Sequence, residues 1–374
     1  MNAEHCHSRE SGNLFGLRKI PAFAGMTCLI LVLLASPAAA QGFAGLGSDG
    51  NTYAPVRPGT PITFPEDHGA HPGHRIEWWY VTANLTDATG EPLGVQWTLF
   101  RQAAAPNDTA TGWASRQYWM GHAALTTARA HHHAERLSRG GIGQAGVTAT
   151  PFEAWIDDWS FTSEGMDFSP LRLSARGADF AYDLTLATDA PMVLQGEGGY
   201  SRKSDRGQAS YYVSQPFFTV TGTVNLDGED RTVTGQAWMD REWSSQPLAP
   251  DQTGWDWFSL HLESGAKLML FRLRSDGRPP YFAGNWITPG GISEALAPDA
   301  ITMEPLETAR AGGRTMPVAW RLAVAGRGLD VTVEALNPKS WNDTSFPYWE
   351  GPITVTGSQG GTGYLEMTGY PSDD

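Results

Sequence analysis

The residues best suited to chemistry are carboxylates set among large aromatic side chains. Glu77 precedes Trp78-Trp79-Tyr80, Asp240 and Glu242 lie just before Trp243, and Asp256 sits between Trp255 and Trp257. A carboxyl group surrounded by apolar neighbours loses solvation of its charged form, so it holds its proton to higher pH and can donate it. An aromatic face can stabilise a cation formed by that donation. Together these parts could serve as proton donors beside an apolar ligand. Strand alternation sorts them: if Trp78 and Tyr80 point one way, Glu77 and Trp79 point the other, and Asp256 likewise opposes Trp255 and Trp257. The competing role is structural, with the acids paired to Arg75, Arg241 or Arg272. Ion-pair networks perturb carboxyl groups as catalytic sites do.

Histidines form the second set. His68, His71 and His74 recur every third residue in a Gly/Pro loop, His131-His132-His133 form a polar triplet, and His122 and His261 stand apart. Zinc requires three or four converging ligands, and neither run carries a metal-ligand motif, so no metal site is expected. His71, close to the Trp-rich segment, joins Asp256, Glu77, Asp240 and Glu242 as a candidate proton donor. The expected ligand-binding residues are Trp78, Tyr80, Trp243, Trp257, His122 and His261. There is no Gly-x-Ser-x-Gly nucleophile turn, phosphate loop or other cofactor motif, so no cofactor is expected.

The elements that must position these residues are β-strands. Across 374 residues the chain holds 43 Gly, 25 Pro and 15 Trp. The glycines and prolines are scattered, as turns between many short strands are, and the aromatic content excludes disorder. A formal charge of -14 argues against nucleic acid and against electrostatic attachment to an anionic membrane. Runs of β-branched and aromatic residues recur at Glu77–Leu85, Leu93–Arg101, Tyr211–Val224, Val233–Trp238, Trp257–Leu262, Lys267–Leu273, Trp320–Val324, Leu329–Ala335 and Ile353–Thr356. Ala123–Leu137 is the one segment where a short helix is expected.

The N-terminal part reads as an export signal. Cys28–Ala35 is an apolar run of eight, followed by Ser36-Pro37 and Ala38-Ala39-Ala40, which places cleavage after Ala40. Met26 is an alternative start. Both cysteines, Cys6 and Cys28, precede the cut, so the remaining 374 - 40 = 334 residues hold no thiol or disulfide. No later segment is apolar enough to span a bilayer as a helix. The expected location is periplasmic or secreted, with an envelope export or transport partner.

An internal repeat divides the chain beyond this signal. Trp78-Trp79-Tyr80, Leu85 and Phe100-Arg101 correspond to Trp255-Asp256-Trp257, Leu262 and Phe271-Arg272, with a longer turn in the first copy. Gly235-Gln236-Ala237-Trp238-Met239-Asp240 corresponds to Gly361-Thr362-Gly363-Tyr364-Leu365-Glu366. This predicts a flexible leader over 41–61, an N-terminal domain over 62–246, a linker Pro247–Asp251 and a C-terminal domain over 254–374. Each domain has enough strands for a small barrel.

Phe64–Leu85 (FPEDHGAHPGHRIEWWYVTANL), Gly121–Leu125, Tyr211–Pro216, Gly235–Leu248 (GQAWMDREWSSQPL), Gly254–Arg274 and Tyr348–Tyr370 together resemble the AttH/CrtC-type lipocalin-like family, related to carotenoid 1,2-hydratase, also called hydroxyneurosporene synthase. The resemblance implies an all-β fold of two tandem lipocalin-like β-barrels, and an apolar ligand. It also implies that where the carotenoid hydratases carry a strand histidine this chain has Asp256. Where they carry a tyrosine and an aspartate it reads Leu270-Phe271-Arg272-Leu273. Two functions are compatible with these residues. One is a carrier of a lipid or isoprenoid-like ligand, held in an aromatic-lined barrel or between barrels. The other is a hydratase (a lyase) or cyclase acting on an unsaturated apolar substrate. A carrier predicts that every acid at the pocket is paired. An enzyme predicts a buried carboxylate or histidine on the wall without an arginine partner.

Overall fold

The computed structural model describes Leu46, Gly50 and residues 52–373 apart from 107 and 109, so the export signal lies outside the described residues. Among the described residues, twenty-three strands form two antiparallel sheets. The first contains β1 (Ile76–Asp87), β2 (Pro92–Ala103), β3 (Gln117–Thr127), β4 (His131–Arg139), β5 (Ala145–Ala149), β6 (Phe152–Ile156), β7 (Trp159–Ser163), β8 (Leu171–Arg176), β9 (Phe180–Ala187), β10 (Val193–Leu194), β11 (Tyr200–Arg202), β12 (Ala209–Leu226) and β13 (Glu229–Ser244). Its order is β4-β3-β2-β1-β13-β12-β9-β8-β7-β6-β5, with β10 and β11 added beside β12. It curls until β6 lies against β2, β3 and β4, which makes a nearly closed barrel. Gly121 permits that closure, because a β-carbon there would collide with Ile156 and Trp159.

The second sheet contains β14 (Gln252–Leu262), β15 (Lys267–Ser275), β16 (Arg278–Ile287), β17 (Ser293–Ala295), β18 (Ile301–Ala311), β19 (Arg314–Val324), β20 (Leu329–Ala335), β21 (Trp341–Asn342), β22 (Tyr348–Gly357) and β23 (Gly361–Met367). Its order is β17-β16-β15-β14-β23-β22-β20-β19-β18, with β21 beside β22, and it forms a half-barrel. Thus the all-β, two-barrel expectation holds, with the second barrel incomplete.

The central strands are buried on both faces, which explains their unbroken apolar stretches. On β1, Trp79, Val81, Ala83 and Leu85 enter the core of the first barrel, while Trp78 and Tyr80 join an apolar cluster shared with the second sheet. On β14, Phe258, Leu260 and Leu262 enter the second barrel's core, and Trp255 and Trp257 join the shared cluster. β13 and β15 divide in the same way, with Trp238, Met269, Phe271 and Leu273 on the shared face. The period of two thus assigns each side chain to its own barrel or to the seam.

Three sequence expectations change. Ala123–Leu137 forms no helix: Ala123–Thr127 end β3, with Ala123, Ala124 and Leu125 consecutively buried, and the rest falls in the β3–β4 turn and edge strand β4. The first hairpin has a short turn too, since Leu85 pairs with Leu93, so its extra length is strand. Trp78 stands opposite Phe100, but Trp257 stands opposite Phe271, so the Phe-Arg match is offset by two residues. The other match keeps register: Leu85 faces Gly235 and Leu262 faces Gly361, hence Tyr80 faces Asp240 and Trp257 faces Glu366.

Candidate functional site at the barrel seam

The seam encloses a cavity of about 290 Å³. Its wall takes Trp78 and Tyr80 from β1, Asp240 and Glu242 from β13, Trp255 and Trp257 from β14, Phe271 from β15 and Glu366 from β23, with Tyr212 from β12 and Tyr348 from β22. The aromatic faces of two tandem strands therefore meet across one space, with carboxyl groups supplied by the neighbouring strands.

Asp240 is the most elaborately held of these acids. Its Oδ2 accepts from the Tyr212 hydroxyl at 2.6 Å, and its Oδ1 accepts from Ser214 Oγ at 2.5 Å and from the Trp238 indole at 2.6 Å. The Trp257 indole donates in turn to the Tyr212 oxygen at 3.0 Å. Burial pushes the Asp240 carboxyl up to about 7, against three hydrogen bonds that favour its ionised form and with the charge of Glu242 adding to the rise. Glu366 accepts from the Trp255 indole. Burial raises it to about 7 as well, and the negative charges of Asp240 and Glu242 add to that. Among the described residues, neither acid forms an ion pair with lysine or arginine; indole and hydroxyl donors hold them.

Glu242 is paired, with Lys203 Nζ 2.9 Å away. The same ammonium lies over the rings of Phe271 and Tyr212 at 4.4 and 4.9 Å, a placement that favours a cation there. Behind the wall, Glu350 accepts from the Tyr80 hydroxyl and is pushed well above the ordinary carboxyl range by burial and by the charge of Glu366. His122 lines the cavity beside Tyr348, with Nδ1 3.1 Å from the Tyr348 oxygen and Nε2 3.1 Å from Glu135.

The remaining sequence candidates lie off this wall. Glu77 faces the first barrel, where Arg101, Arg241 and His71 surround it. The two guanidinium groups, with the His71 hydrogen bond, outweigh burial and hold its carboxyl well below the usual range. His71 bridges Glu77 and Asp67 and stacks on Trp243 at 4.2 Å, so His71 and Trp243 belong to this structural network. Asp256 is buried among Arg272, Arg274 and Tyr370. His261 is buried beside Lys267, 2.8 Å away, and Lys267 also donates to Gln236. His68 stacks on Phe168 at 3.8 Å, and the Trp79 indole donates to its carbonyl. Strand alternation is the cause: the acids adjacent in sequence to Trp78 and Trp257 point away from the face those aromatics occupy. Of the candidates, Asp240, Glu242, Trp78, Tyr80, Trp257 and His122 share the cavity. Sequence reasoning missed Tyr212, Lys203, Glu350 and Glu366. For Glu366 a signal existed, since the repeat sets it in register with Asp240.

Comparison with known proteins agrees with this architecture. A model of the AttH-like family matches residues 55–370. The crystal structure of a putative AttH, NE1406, from Nitrosomonas europaea is 36% identical, with a TM-score of 0.76 over 85% of this chain and 100% of that one. Kievitone hydratase from Nectria haematococca shares the fold at 17% identity, with a TM-score of 0.64 over 86% of this chain and 97% of that one. CghA does so at 13% identity, with a TM-score of 0.52 over 86% and 97%. No curated protein sequence matches. The family match over nearly all of the described residues, and a relative more than a third identical along its whole length, show that this chain belongs to the AttH-like family.

Proposed function

We propose that the protein is an acid–base catalyst that adds water to, or removes it from, a carbon–carbon double bond of an apolar substrate held at the barrel seam. The observation that carries this reading is the pair of buried carboxyl groups, Asp240 and Glu366, on an aromatic wall without a cationic partner. A carrier has no need for unpaired acids, since an uncompensated polar group beside an apolar ligand weakens binding. Both acids are poised near neutrality by burial, the range in which a group can both give and take a proton.

In hydration, the protonated acid transfers H⁺ to one alkene carbon, and the π pair forms the new C–H bond. The cation left on the second carbon lies among the rings of Trp78, Trp255, Trp257 and Phe271. Water adds to that carbon, and the ionised carboxylate takes the proton that water loses. One water and one double bond are consumed, one alcohol forms, and the two acids exchange roles. Dehydration is the reverse. Tyr212 and the indoles of Trp238 and Trp255 orient the acids through their hydrogen bonds.

The test is incorporation of ¹⁸O from labelled water into olefinic lipids of the native envelope, read by mass spectrometry. Asp240→Asn and Glu366→Gln should each lower incorporation by about 100-fold or more, while binding of the neutral probe N-phenyl-1-naphthylamine is retained. Lipid that co-purifies and leaves unchanged, with no ¹⁸O taken up, would instead establish a carrier. We also propose export to the periplasm or the exterior, supported by the apolar run and Ala38-Ala39-Ala40. The intact mass of protein from the envelope fraction should correspond to a chain beginning at Gln41.

A further inference from the structure

The cavity mouth is built from apolar side chains that face water. Tyr118, Leu137 and Phe346 line it while remaining 45%, 60% and 39% exposed. Tyr118 stands opposite Arg139 across the β3–β4 ladder, and the Arg139 guanidinium lies 5.9 Å from its ring. Arg139 also donates to the Ser115 carbonyl at 3.1 Å, which ties the end of β4 to the turn Gly112–Ala114. That turn carries Trp113, at 72% the most exposed large hydrophobic residue among those described. Arg116, also exposed, follows it. On the far side Glu135 accepts from both the backbone N–H and the hydroxyl of Ser345, which fixes the loop holding Phe346. The rim is thus a held structure on β3, β4 and the loop before β22, carrying Tyr118, Leu137, Phe346 and the Arg139 guanidinium, with Trp113 on the turn that Arg139 ties to it.

We infer that this rim docks on the surface of a phospholipid bilayer. Tryptophan and tyrosine favour the headgroup level, where the ring is sheltered and its polar atom stays wet. The Arg139 guanidinium sits beside the Tyr118 ring, where phosphate groups would lie, and arginine matches phosphate geometry. A second protein fits less well. Four apolar side chains fall far short of the roughly 20–30 residues per partner of a stable protein–protein interface. The net charge of -14 opposes general attraction to an anionic membrane, so attachment must depend on the rim itself. Docked in this way, the cavity would open onto the acyl layer, and an apolar molecule would pass between bilayer and seam without crossing water. That last step rests on the reading of the seam as a site for an apolar substrate. Attachment does not, and it is measured separately.

The experiment is flotation of the full chain with phosphatidylcholine vesicles, with and without phosphatidylglycerol. Wild type should float with both. The double variant Trp113→Ala, Leu137→Asp should lose at least about tenfold in partition coefficient, as removal of two interfacial apolar anchors predicts. The control Ile292→Asp, Leu306→Asp alters two other exposed apolar residues and should stay within about twofold of wild type. Circular dichroism melts check that both fold. Three results would overturn the inference: no flotation of wild type, equal losses in the rim and control variants, or self-association in solution that the rim variant abolishes. Asp240→Asn should float like wild type, so vesicle binding without any water-adding activity would count against the catalytic reading alone.

Discussion

At the scale of single residues, the decisive contrast is between paired and unpaired buried acids. Asp256 sits among two arginines and a tyrosine, and Glu77 between two arginines and a histidine, whereas Asp240 and Glu366 rely on neutral donors. Asp256→Ala should therefore cost about 1–3 kcal/mol in urea melts, because it removes a buried acceptor from two partly exposed guanidinium groups and the Tyr370 hydroxyl, and leave the titration of the seam unchanged. The seam acids behave oppositely. Their protonated forms are favoured on folding, so between the ordinary carboxyl range and about pH 7 the native state keeps protons that the unfolded chain releases. Stability linked to them is full at low pH and is lost as pH rises towards and past 7. Asp240→Asn should thus be more stable than wild type at pH 8, by up to about 4 kcal/mol, with the difference closing towards pH 4. A difference that grows on acidification would contradict the assignment.

At the scale of elements, the seam exists because adjacent strands offer one face to their own barrel and the other to the neighbour. Gly94 on β2 marks how closely the sheets approach, since a β-carbon there would collide with the Tyr364 hydroxyl and with Pro352. Its neighbours Leu93 and Val95 enter the first barrel's core, so Gly94 faces the other way. Gly94→Val should press the barrels apart, cost about 1–3 kcal/mol as overpacking does, and weaken N-phenyl-1-naphthylamine binding at the seam. Unchanged probe affinity together with a lowered melt would show that the strain stays outside the cavity.

For the whole molecule, the two sheets share an apolar core containing Tyr80, Tyr212, Trp238, Trp257, Phe271 and Tyr364. The connection between them is not a free tether. Pro247, Leu248 and Ala249 are buried, and Ala249 N–H donates to the Gln252 side chain at 2.7 Å. The described residues group as one compact unit. Calorimetry should show a single cooperative transition, and limited proteolysis of the native protein should leave 245–249 uncut, because a protease needs several residues of extended, accessible chain. Two resolved transitions would mean that the seam contributes little to stability.

The sequence by itself determined the strand-rich fold, the duplication and the family. Each rests on local alternation, turn residues and word order, which are written along the chain. It also determined that Asp240 and Glu366 are equivalent, through the match of Gly235–Asp240 with Gly361–Glu366. Only the tertiary structure decided which acids share a site. Adjacency in sequence favoured Glu77 and Asp256, but a strand sends neighbouring side chains to opposite faces, and both acids turned towards arginines on β2, β13 and β15. The acids that reached the aromatic wall came from hydrogen-bonded neighbours far away in sequence: Asp240 opposite Tyr80, and Glu366 opposite Trp257. Ladder register sets those pairings, and register follows from which faces become buried when the two sheets pack.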